Sequence, residues 1–158
     1  MSVRASEFFN GEQKCSNGPQ NECLVGSPEN PLAAIHFHFP YLSFHLKDGR
    51  SDQLILDPWN DSYSPQIAQI APLPAKIELY VGTAKNNLLG IKMFDCEGTE
   101  VVKAGRCLVG DKQGMHEVAL QEGEQIIGYR SHALEENGLR CGKHYDFQLL
   151  IAAAATSE

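Results

Sequence analysis

The sequence is short of basic charge, of paired cysteines and of long apolar runs, and each shortage removes a class of protein. Thirteen Lys and Arg stand against twenty Asp and Glu, giving a net charge of −7. That sign repels the phosphates that supply most nucleic-acid affinity. No basic cluster offsets it, and no aromatic residues interleave with Arg and Lys as a single-strand platform requires. Nucleic acid and anionic membrane surfaces are therefore not expected as partners. The longest apolar run, Leu149 to Ala155, is far shorter than the roughly 18 residues needed to span a bilayer. The opening residues Met1-Ser2-Val3-Arg4-Ala5-Ser6-Glu7 lack the apolar core of a secretory signal.

The five cysteines, Cys15, Cys23, Cys96, Cys107 and Cys141, form an odd set without a C-x-x-C pair. Neither a disulfide framework nor a zinc site is implied by such spacing. Free thiols in a reducing compartment fit, so a cytoplasmic location is expected. Cys15 and Cys23 form the one close pair, and a bridge between them would reverse that expectation.

Catalytic signatures are missing too. There is no Gly-x-Ser-x-Gly elbow and no cysteine in a protease context. No phosphate-binding Gly-x-x-x-x-Gly-Lys-Ser/Thr loop occurs, and no Gly-x-Gly-x-x-Gly comes after a strand. A non-enzymatic protein without a cofactor is the expectation.

What is present is the composition of one globular domain. The 158 residues are 42% apolar and 21% charged, near the average for a domain with a single core. Residues 1–31 carry Asn-Gly, Asn-Gly-Pro, Gly-Ser-Pro and Asn-Pro steps, which predict an irregular amino-terminal arm. From Leu32 to the end, short alternating or apolar runs separated by turns predict a single antiparallel β domain.

The expected strands are Ala34–Phe39, Leu42–Leu46, Gln53–Leu56, Lys76–Val81, Leu88–Phe94, Glu100–Val102, Met115–Leu120, Gln125–Arg130 and Tyr145–Ala152. Lys47-Asp48-Gly49-Arg50 and Asp95-Cys96-Glu97-Gly98 read as hairpin turns. Ser64–Ile70, His132–Asn137 and Ala152–Ala155 could each form a helical turn or two. Strands at this spacing predict closure, as a β-prism first and as a two-sheet sandwich or jelly roll second, because an open sheet leaves edges to aggregate.

Two clusters invite a metal. His36 and His38 share one face of a strand, with His45 on the next. The spacing resembles the metal strand of cupins, and a small cupin-like metal-dependent enzyme using His36, His38 and His45 is an alternative reading. Pro40-Tyr41-Leu42-Ser43-Phe44 stands where that pattern needs a carboxylate, and alternation lets Phe37 and Phe39 face the core with the histidines outside. Asp52, Asp57, Asn60 and Asp61 supply oxygens near the sole Trp59, but without the EF-hand spacing. Good turn formers account for them.

The last third carries the most information. Val118 to Tyr129 reads as strand, tight turn and strand, with Gly123 supplying a positive φ and Gly128 allowing close backbone approach. Gly142-Lys143-His144-Tyr145-Asp146 then reads as a loop entering the final strand. Leu120, Gly123, Glu124, Ile126 and Gly128, together with that Gly-x-x-x-Asp string, resemble the closing strands of jacalin-related β-prism lectins over roughly residues 76–152.

The resemblance implies a hexose held by the loop, which assigns ligand binding to Gly142, Lys143, His144, Tyr145 and Asp146. A carboxylate accepts paired hydrogen bonds from vicinal hydroxyls, and a tyrosine ring offers a stacking face. Turn-capping is the other role open to Asp146. The expected function is a recognition module whose partner is a carbohydrate, or alternatively a protein bound by a β-sandwich. Three four-stranded sheets would favour the first, a two-sheet sandwich the second.

Overall fold

A computed structural model describes residues 2–14, 21–38, 41–56, 66–69, 74–136 and 139–154. Among them lie twelve strands: β1 (Val3–Ala5), β2 (Asn21–Val25), β3 (Leu32–His38), β4 (Tyr41–Leu46), β5 (Ser51–Ile55), β6 (Gln66–Gln69), β7 (Lys76–Gly82), β8 (Leu88–Phe94), β9 (Glu100–Gly105), β10 (Gln113–Ala119), β11 (Glu124–Glu136) and β12 (Leu139–Ala153). A 3-10 turn at Phe9–Gly11 is the one helical element among the described residues.

The strands form three four-stranded sheets, ordered β5-β4-β3-β6, β10-β7-β8-β9 and β1-β12-β11-β2, and every pairing is antiparallel. This is a β-prism, and the sandwich and jelly roll give way to it. In the first two sheets three consecutive strands form hairpins and a fourth returns beside the first, which is a Greek key. The third sheet has the same order if the chain is read from β11 through β12 to β1 and β2. Its Greek key is thus cut by the chain ends, and β1 pairs with β12 at the cut.

That arrangement corrects the reading of residues 1–31 as an irregular arm: β1 and β2 are the outer strands of the third sheet. Both are short and flanked by turn formers, so they gain their structure from β12 and β11 rather than from local pattern. Within the helical turn expected at Ser64–Ile70 the described residues Gln66–Gln69 form β6, and within that expected at His132–Asn137 the described residues belong to the far end of β11. Ala152 and Ala153 likewise finish β12 instead of starting a helix. In each case cross-strand pairing overrides a weak local preference. Cys15, Phe39, Pro40, Asp57, Trp59, Asn60 and Asp61 lie outside the described residues.

Inward-facing residues from all three sheets meet in one core. Ile35, Phe37 and Phe44 come from the first, Ile77, Leu79, Ile91 and Met93 from the second, Tyr129, Leu149 and Ile151 from the third. Period-two alternation places them, as in β7, where Ile77, Leu79 and Val81 are buried. Each such side chain contributes about 1.5–3 kcal/mol by leaving water. Gly123 has φ +83° in the turn before β11, as expected. At Gly128 a Cβ would collide with the Leu24 carbonyl oxygen, so β2 approaches β11 there as only glycine permits.

Candidate functional site

The candidate site is built on an irregularity in β12. Arg130 pairs with Gln148 and His132 with Tyr145, so Ser131 alone faces both Asp146 and Phe147. The extra residue makes a β-bulge, which re-aims side chains and frees backbone groups. Asp146 adopts φ +54°, the left-handed region that Asp tolerates better than most residues. The freed amides turn to the β7–β8 connection: Asp146 N–H donates to Lys85 O and Phe147 N–H to Asn86 O, both at 3.0 Å. Asn86 is itself left-handed, at φ +50°.

A third segment, the β1–β2 connection, completes the cluster. The backbone N–H of Lys14 donates to Asp146 Oδ1 at 2.8 Å, and Asn86 Nδ2 donates to the Glu12 carbonyl at 2.6 Å. Asp146 is 0% and Asn86 1% exposed. Asn86 Oδ1 is buried without a hydrogen-bond partner among the described residues. The Lys14 ammonium pairs with the Glu12 carboxylate at 2.8 Å, which holds the Glu12 carboxyl below its usual range.

The five residues expected to act together are divided by this geometry. Gly142 to Asp146 do not form a loop: all lie in β12, because β12 begins at Leu139. The side chain of Lys143 falls outside the described set. His144 is buried, with Nδ1 2.5 Å from Ser131 Oγ and 3.7 Å from Cys23 Sγ. Cys23, Ser131 and His144 together satisfy polar atoms inside the third sheet. Tyr145 is buried beneath Lys85, whose Nζ sits 4.5 Å from the ring centroid and 3.5 Å from the hydroxyl. That ammonium lies over one face of the ring.

Sequence reading missed Lys14, Lys85 and Asn86. The only signal was the pair Asn86-Asn87 in a short connection, a composition that favours turns and left-handed backbone.

The histidines of the cupin alternative are arranged otherwise than a chelate. His36 and His45 stack across β3 and β4 with centroids 4.0 Å apart, while His38 is exposed at the strand end. His45 Nε2 lies 3.1 Å from Ser43 Oγ. Burial, and then the charge of His36, pushes the His45 imidazole below its ordinary pKa. Among the described residues no three His, Cys, Asp or Glu side chains gather closely enough to hold a metal. Asp52 instead accepts a hydrogen bond from the Tyr129 hydroxyl at 2.6 Å.

The three antiparallel four-stranded sheets define the fold class, a β-prism. No family model and no curated relative matches the sequence. Among solved structures, the chain is similar to Calsepa lectin in complex with a biantennary N-glycan, at TM-score 0.55 and 14% identity over 98% of this chain and 99% of that one. The agglutinin of Calystegia sepium matches at TM-score 0.51 and 14% identity over the same shares. The lamprey immune protein matches at TM-score 0.57 and 13% identity over 99% of this chain, which spans 45% of that one. At such identities the likeness is one of fold.

Proposed function

We propose that this protein is a non-enzymatic, lectin-like module that binds a carbohydrate at Asp146. The observation that carries the reading is the Asp146 carboxylate itself, set on a bulge in left-handed backbone and held among three segments of the chain. With its backbone so fixed, the carboxylate can accept hydrogen bonds from two vicinal hydroxyls once the Lys14 N–H is displaced, with little further ordering cost. Asn86 Oδ1 supplies a buried acceptor close by in sequence to the groups that Asp146 already engages. The fold agrees, since it is shared over nearly the whole chain with two lectin structures, one of them solved with an N-glycan.

The test is a glycan array and then titration of the best hexoside, comparing the wild type with Asp146→Asn. Asn keeps the size and the left-handed tolerance but removes the charge. Binding that is lost in a folded Asp146→Asn protein supports the reading. Equal measurable binding by the two proteins rejects it.

A further inference from the structure

We propose that residues Phe9–Lys14 form a strap that closes the Asp146 site from within the chain, so that only a form with the strap lifted takes a carbohydrate. The proposal rests on the reading of Asp146 as the carbohydrate contact and adds how that contact is regulated. The strap has an anchor, a hinge and a tip. Its anchor is Phe9, which packs against the core and whose ring fills the space that a Cβ at Gly114 would need. Its hinge is the pair Asn10 and Gly11, at φ +57° and +71°. Consecutive left-handed residues at this point set the direction of the tip, and a change at either re-aims it.

The tip is Glu12 to Lys14. Glu12 O accepts a hydrogen bond from Asn86 and Lys14 N–H donates one to Asp146. With the tip in place Asp146 is fully buried, so no hydroxyl can reach the carboxylate. The Lys14 N–H stands where a sugar hydroxyl would donate, which makes the strap an internal substitute for the ligand. The substitution is incomplete, because Asn86 Oδ1 stays buried and unpartnered among the described residues. An unmet buried acceptor disfavours the closed form. A polyol could replace the Lys14 donor on Asp146 and also donate to Asn86. A connection outside the strands opens at lower cost than the strands beneath it.

Closure lowers apparent affinity by the fraction of open molecules, so loosening the strap should tighten binding. Two variants of the full chain loosen it by different routes. Lys14→Pro removes the N–H that caps Asp146, and Gly114→Ala displaces Phe9 from its anchor. The probes are methyl glucoside, mannoside and galactoside, titrated by calorimetry, with core hydrogen exchange reporting that each variant is folded. The expected result is a Kd about tenfold lower than the wild type for the hexoside that binds. In the wild type, the Lys14 amide should exchange at least about a hundredfold faster than that of Leu149 in β12.

Unchanged or weaker binding by both folded variants overturns the strap while leaving the carbohydrate reading standing. A Lys14 amide as protected as Leu149 also overturns it, without reference to any sugar. If neither the wild type nor a loosened variant binds a hexoside, the carbohydrate reading falls and the strap's role as its gate falls with it.

Discussion

Lys14 and Asp146 are 132 residues apart in sequence and are joined by a hydrogen bond from the Lys14 backbone N–H to Asp146 Oδ1 at 2.8 Å. The bond links the β1–β2 connection to the bulge of β12, so the same carboxylate that could grip a ligand also holds the fold together.

That double role predicts a stability difference between two substitutions. Asp146→Ala removes the acceptor and places a Cβ-bearing residue without a side-chain partner at φ +54°, for an expected loss of about 2 kcal/mol. Asp146→Asn retains an oxygen and tolerates that backbone, and should lose less than about 1 kcal/mol. Urea unfolding measures both. Equal losses would show that neither the cap nor the backbone conformation matters.

Gly128→Ala tests the close approach of β2 to β11. The new Cβ would collide with the Leu24 carbonyl oxygen, which is backbone and cannot rotate aside. The strands must separate, and an expected loss of about 2 kcal/mol or more places this among the overpacking substitutions. Hydrogen exchange should show the loss concentrated in β2. A variant as stable as the wild type would mean that β2 shifts freely.

Some of this was legible before the fold was known. Leu88–Phe94 is a strand with the bounds its pattern predicted, and Gly123 and Gly128 have the roles their positions suggested. These features are local, set by alternation and turn chemistry. β1 and β2 were not legible, because Val3-Arg4-Ala5 carries too little pattern and owes its pairing to β12 at the other end of the chain. Three-fold repetition was hidden for the same reason: one Greek key is divided between the two termini. At the candidate site, the Gly-x-x-x-Asp string singles out Asp146. A string cannot reveal that His144 turns inward to Ser131, since the bulge that interrupts alternation depends on the register with β11.

The ion pair of Arg4 and Glu124 predicts a pH dependence. Arg4 donates to Glu124 Oε1 and Oε2 at 2.8 Å and to the Ala119 carbonyl at 2.8 Å, tying β1 to the end of β10. The hydrogen bond from Arg4 holds the Glu124 carboxyl below its usual range. A folded pKa below the unfolded one means that stabilisation is complete above the unfolded value of roughly 4.3 and is lost as pH falls through the folded value. With Arg4 largely open to water, the pair is worth less than about 1 kcal/mol at neutral pH. Glu124→Gln should therefore be slightly less stable than the wild type at neutral pH and equally stable in strong acid. A gap that persists in acid would assign the effect to packing.

Tyr129 makes the strongest test of how the sheets are joined. Its ring lies in the core, with centroids 4.8 Å from Phe44 and 5.2 Å from Phe147, and its hydroxyl donates to Asp52 in the neighbouring sheet at 2.6 Å. Tyr129→Phe keeps the ring packing and removes only that donor. A hydrogen bond to a carboxylate is worth about 1.5–3 kcal/mol, and because Asp52 is half-buried, water can replace part of it, so a loss of about 1–2 kcal/mol is expected. Asp52→Asn and the double variant complete a cycle that isolates the bond from the packing. A coupling of about 1 kcal/mol or more is expected if the bond itself joins the first and third sheets. Additive losses would instead assign the junction to the aromatic stack of Phe44, Tyr129 and Phe147, with the hydroxyl and carboxylate acting independently.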